Sequence, residues 1–116
     1  MLINLSNHPS LSWPEKQVKQ ANELYGQLYD IPFPQIDPEA DEKDIKELAQ
    51  TYLQKILALK PKAVHLMGEL TFTFELVQIL KSKGILVIAS TTHRSTVDLP
   101  DGTKNVKFEF VRFRKY

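Results

Sequence analysis

The chain has 116 residues, 42% of them hydrophobic and 25% charged, with a formal net charge of +1, which fits one globular domain and excludes a disordered chain. It has no cysteine, so disulfide scaffolds, thiolate nucleophiles and the usual structural zinc sites are excluded together. No stretch approaches the roughly 20 apolar residues of a membrane span, and Met1-Leu2-Ile3-Asn4-Leu5 lacks the basic start and cleavage site of a secretory signal; a cytoplasmic location is expected. The charge is unevenly spread. Residues 1–58 hold five lysines against nine acids, whereas residues 59–116 hold ten basic residues against five acids, including all three arginines, Arg94, Arg112 and Arg114. Their planar forks suit phosphate or carboxylate oxygens, so the basic half is consistent with an anionic ligand.

In chain order, Leu2-Ile3-Asn4-Leu5 reads as a first strand that stops at the polar run Ser6-Asn7-His8-Pro9-Ser10. Ser12-Trp13-Pro14-Glu15 has the spacing of a capping box and opens a helix over about 13–25, with Val18, Ala21, Leu24 and Tyr25 on its apolar face and Gly26 as its stop. Residues 27–31 form a second strand, closed by Pro32 and Pro34. Asp37-Pro38-Glu39 or Asp41-Glu42-Lys43-Asp44 caps the next helix, whose apolar set runs from Ile45 to Leu57 at helical period until Pro61. Ala63-Val64-His65-Leu66-Met67 is apolar enough for a strand covered on both sides, with His65 read as a structural histidine. A third helix starts at Thr71 or Phe74, packs both Phe72 and Phe74, and ends near Lys83-Gly84 before a fourth strand over 85–89. The polar, β-branched residues 90–98, the turn Leu99-Pro100-Asp101-Gly102 and the aromatic segment 106–113 then form a hairpin. The expected fold is α/β: an open, mostly parallel sheet of about six strands, helices on both faces, and a C-terminal antiparallel hairpin.

Ligands of open α/β sheets bind beyond the carboxyl ends of the parallel strands. Three polar clusters fall there in this reading, which places them on one rim. Ser6-Asn7-His8 follows the first strand, Gly68-Glu69 with Thr71 and Thr73 follows the third, and Ser90-Thr91-Thr92-His93-Arg94 follows the fourth. His8, in a loop beside hydroxyl groups, is the acid/base candidate, and Ser10 and Glu69 are further catalytic candidates. Ser6, Asn7, Gly68, Thr71, Ser90, Thr91, Thr92, Arg94, Arg112 and Arg114 are candidates for ligand binding. A strand end and a capped turn would use Ser6, Asn7 and Ser10 in the same way. Glu69 would repel a phosphate, so it points away, serves as a base or pairs with an arginine. The N–H groups opening the third helix could receive an anion, although one glycine falls short of a dinucleotide or P-loop fingerprint. Period-2 alternation puts Phe108, Phe110, Arg112, Arg114 and Tyr116 on one side of the last strand. The three histidines have neither i,i+4 spacing nor flanking carboxylates, so no metal and no cofactor is expected.

This layout resembles a minimal CARF domain, the Rossmann-like sensor of CRISPR-associated proteins, and especially the small stand-alone ring nucleases. The likeness covers most of the chain. It rests on the short first strand running into Ser6-Asn7-His8-Pro9, on Gly68-Glu69-Leu70-Thr71 and Ser90-Thr91-Thr92 after later strands, and on Phe110-Val111-Arg112-Phe113-Arg114 in the terminal hairpin. The resemblance implies a homodimer that binds cyclic oligoadenylate across its two-fold axis in antiviral defence. It also implies cleavage without metal, by alignment of a ribose 2′-hydroxyl on the adjacent phosphate. Neither duplex nucleic acid nor a membrane is an expected partner. Two other functions fit the same residues: a sensor or interaction module that binds without turnover, and an unrelated small α/β enzyme acting on a phosphorylated metabolite.

Overall fold

Strands covered on both sides need apolar residues at consecutive positions, and the two segments richest in them take the middle of the sheet. In the computed structural model, which describes residues 1–116, β1 (Leu2–Ser6) lies between β2 (Leu28–Asp30) and β3 (Ala63–Met67). β4 (Val87–Asp98) and β5 (Lys104–Lys115) complete five strands in the order β2-β1-β3-β4-β5. The first four are parallel to one another, and β5 runs antiparallel to β4. Between them lie α1 (Glu15–Tyr25), α2 (Glu42–Leu59) and α3 (Leu70–Ser82). The chain goes from β1 outward to β2 and then crosses back to β3, so β1 and β3 are neighbours where its direction of travel reverses.

Alternate residues of these strands join different cores. Ile3, Leu5, Val64, Leu66 and Val87 pack with Ile45, Ala49, Leu53 and Ile56 of α2 and with Phe72, Leu76, Val77 and Leu80 of α3. Leu2, Ala63 and Ile88 pack instead with Trp13, Ala21 of α1, and Phe110 and Phe113 of β5. On this second side each strand turns polar toward its carboxyl end: Leu2 gives way to Asn4 and Ser6, Ala63 to His65, and Ile88 to Ser90 and Thr92.

Four expectations change. The sheet has five strands because the fourth parallel strand and the first strand of the hairpin are one: β4 runs unbroken for 12 residues. No proline or glycine interrupts it, and Thr91, Thr92 and Thr96 favour extended backbone. Ser90 to Arg94 are therefore strand residues. Next, α1 starts at Glu15 with Pro14 in the capping position and no side-chain cap, because Ser12 is held in the short 3-10 turn Ser10–Ser12. In α3 only Phe72 packs; Phe74 is largely exposed. Finally, β5 has a bulge. Thr91 pairs with Arg112 and Thr92 with Phe110, leaving Val111 as an extra residue that reverses the alternation. Phe110 and Phe113 thus share the α1 core, while Arg112 and Arg114 pair with Thr91 and Ala89, on the opposite side from Ser90 and Thr92. The Thr91 hydroxyl fills the ladder there, donating to the Arg112 carbonyl at 3.1 Å and accepting from the Arg112 N–H at 3.2 Å.

Of the two starts expected for α2, the one at Asp41 is present, as a reciprocal capping box in which the Asp44 N–H donates to Asp41 and the Asp41 N–H donates to Asp44. Asp41→Ala is expected to cost about 1 kcal/mol, lowering the urea midpoint of unfolding without changing the slope of the transition.

Candidate functional site

One polar side chain from each parallel strand joins a hydrogen-bonded row across the sheet. Asp30 on β2 and His65 on β3 are the register partners of Asn4 on β1. The Asn4 amide donates to Asp30 Oδ1 at 3.1 Å and to the His8 carbonyl at 2.9 Å. Both of those partners are acceptors, so the amide nitrogen is fixed on that side and Oδ1 faces His65. That oxygen accepts from Ser6 Oγ at 2.8 Å and lies 2.9 Å from His65 Nδ1. His65 must therefore carry its proton on Nδ1. Its Nε2, 2.7 Å from Ser90 Oγ on β4, is left as an acceptor for the Ser90 hydroxyl. Gln17 Nε2 of α1 then donates to Ser90 Oγ at 3.0 Å.

The surroundings keep the imidazole neutral. Trp13 meets its ring edge-on at 5.0 Å and Phe113 at 5.9 Å. Burial first, and the nearby His8 second, hold the His65 pKa down at about 4. A neutral imidazole with a bare Nε2 beside a serine hydroxyl, and an amide oxygen on Nδ1, is the arrangement of a hydroxyl activated by a base whose tautomer is fixed from behind.

The row opens into a cleft of about 480 Å³ at the carboxyl ends of β1 and β3, lined by His8, Ser12, Trp13, Gln17, His65, Met67, Ser90, Thr92, Phe108 and Phe110 among others. The His8 ring is exposed, but its carbonyl is pinned, accepting from Asn4 Nδ2 and from Trp13 Nε1, each at 2.9 Å. Arg94 stacks over Phe108 with its guanidinium carbon 6.0 Å from the ring centre, at the edge of the cleft.

A family model described as "Uncharacterized protein MJ1673 family" matches residues 1–114. The chain belongs to this family. No curated protein and no solved structure matches it.

In this family member the candidates read from sequence divide into three groups. His8, Ser90 and Thr92 line the cleft, Ser6 braces its wall through Asn4, and Arg94 stands beside it. Asn7 is exposed in the loop after β1. Ser10 ties that loop to β2, with both its N–H and its hydroxyl donating to Asp30 Oδ2 at 3.0 Å. The others lie elsewhere. Glu69 occupies the start of α3 itself, accepting from the Thr71 N–H at 3.0 Å and the Phe72 N–H at 2.8 Å, and so fills the place expected for an anion. Those bonds, with that from the Thr71 hydroxyl, lower its pKa. Thr71 faces a separate hollow of about 410 Å³ between the starts of α2 and α3. At Gly68 any side chain would meet the Phe33 ring, so the glycine makes room for packing. Thr91, Arg112 and Arg114 lie on the side away from the cleft. Sequence reasoning passed over Asn4, Trp13, Gln17 and Asp30, and treated His65 as inert. The available signal was one polar residue at the third position of each of two buried strands, where each needs a partner.

Because the folded chain refuses a proton that the unfolded chain takes up at His65 near pH 6.5, stability is full above that pH and falls as the pH drops toward 4. The loss is expected to reach about 3 kcal/mol in urea unfolding. In His65→Gln this part of the pH dependence should vanish, leaving the contributions of Glu69 and Asp101, whose depressed pKa values act lower.

Proposed function

We propose that this chain is a Rossmann-like domain, with helices over both faces of its sheet, that binds cyclic oligoadenylate in the cleft above Ser90 and cuts it without a metal, as a cytoplasmic CARF-type ring nuclease of antiviral defence. The observation that carries this reading is the lining of the cleft. Hydrogen-bonding groups from the loop after β1, from α1, and from β3 and β4 meet aromatic surfaces at the point where the chain reverses across the sheet. Trp13, Phe108 and Phe110 offer faces and edges on which adenine can stack, and Arg94 offers a fork for phosphate. His8 is the exposed imidazole that reaches the ligand. A ring of several nucleotides exceeds a cleft of about 480 Å³. Two chains related by a two-fold axis would present two such clefts to one symmetric ligand.

A non-catalytic sensor is the second reading, and the Ser90–His65–Asn4 contacts favour it, since a hydrogen-bonded row can serve to shape a binding surface alone. Incubation with cyclic tri-, tetra- and hexa-adenylate, followed by product analysis, separates the two. The ring-nuclease reading expects a linear product and a dimer by light scattering; binding without product selects the sensor, and no binding to any of the three refutes both. Arg94→Ala is expected to weaken binding about tenfold and to flatten its salt dependence, whereas Arg112→Ala should leave both near wild type; titration at two ionic strengths measures this.

A further inference from the structure

We propose that the Ser90 hydroxyl is the proton acceptor for the attacking ribose 2′-hydroxyl, with His65 Nε2 taking the serine proton and Asn4 fixing the imidazole. This deepens the ring-nuclease reading and rests on it. A serine hydroxyl has one proton and two acceptor positions. In the free protein the proton goes to His65 Nε2 and one acceptor position to Gln17 Nε2, which leaves one for a donor in the cleft. The ligand's 2′-hydroxyl is such a donor.

The step balances as follows. The 2′-hydroxyl proton passes to Ser90 Oγ while the Ser90 proton passes to His65 Nε2. The 2′-oxygen forms a bond to the adjacent phosphorus, and the bond from phosphorus to the 5′-oxygen breaks. That oxygen leaves on the opposite side and takes a proton from water, giving a 2′,3′-cyclic phosphate and a free 5′-hydroxyl. His65 then returns its proton through Ser90 to water, so no proton is consumed overall. Ser90 is the catalytic residue here, and His65 and Asn4 are positioning residues that act through it.

The same geometry sets the pH response. Around His65, β1 presents Asn4, β4 presents Ser90, α1 and its lead-in present Gln17 and Trp13, and β5 presents Phe113. None of these titrates. His8 is the ionisable neighbour in the loop after β1, and Asp30 of β2 lies beyond the Asn4 amide. A base held neutral down to about pH 4 predicts a cleavage rate that is level from pH 8 to 5 and falls only below that.

The test compares single-turnover cleavage and equilibrium binding of cyclic oligoadenylate by wild type, Ser90→Ala, Ser90→Thr and His65→Gln, and reads the His65 nitrogen shifts of the free wild type by NMR. Expected are binding within threefold for Ser90→Ala, cleavage slowed at least about 100-fold, partial recovery in Ser90→Thr, and a proton on Nδ1 with Nε2 bare. The NMR measurement needs no ligand and holds even if His65→Gln fails to fold. Cleavage by Ser90→Ala at the wild-type rate, an acid limb well above pH 5, or a protonated Nε2 would each overturn the relay and leave the ring-nuclease reading standing. Wild type that binds the ring without cutting it also removes the relay, and leaves a sensor. Wild type that binds none of the rings ends the functional reading, and the relay with it.

Discussion

A carboxylate can only accept hydrogen bonds, and from that constraint at Asp30 the direction of every bond across the sheet follows. The Asn4 nitrogen must face Asp30, its oxygen must face His65, the His65 proton must sit on Nδ1, and Ser90 must point its own proton at Nε2. No link can be reversed alone. Reversing the bond between Asn4 and His65, both buried, would set two donors or two acceptors face to face, at a cost of about 1–3 kcal/mol per unsatisfied group. The row thus acts as a single unit.

Much else is hung on it. The loop after β1 is held by the same side chains, since the Asn4 amide binds the His8 carbonyl and Asp30 binds both donors of Ser10. Trp13 is fixed by its N–H on that carbonyl and by packing against the His65 ring, and it leads directly into α1. The core against α1 is apolar up to this boundary, and the switch from Leu2 and Ala63 to Asn4 and His65 takes place within one step of the pleat. An ordinary apolar core therefore ends in a polar floor.

The parts of the fold that depend on local chemistry were legible in the sequence. The third strand falls at Ala63–Met67 as its apolar run indicates, and the second helix begins at an aspartate pair as its capping residues indicate. The hairpin turns where Pro100, Asp101 and Gly102 place it. What failed depended on contacts between distant residues. The residues around Ser90 favour extended backbone, but that one strand serves both the parallel sheet and the hairpin follows from its pairing with β3 and β5. Nothing local to Val111 announces a bulge that exchanges the sides of Phe113 and Arg112. The site shows the same division. His8 and Ser90 were visible as polar residues at strand ends, whereas the meaning of His65 lies in partners 25 and 61 residues away.

The unbroken β4 has a mechanical consequence. Its first residues belong to the parallel sheet and its last ones to a two-stranded ribbon, and the cleft residues Ser90 and Thr92 lie close to the junction. From Thr92 to Asp98 the strand extends about 20 Å at roughly 3.3 Å per residue. A stiff arm of that length magnifies what happens at its root: a rotation of about 5° at Thr92 would carry the ribbon tip nearly 2 Å, by the same strand spacing. The floor of the cleft and the tip of the ribbon thus lie on a single length of backbone.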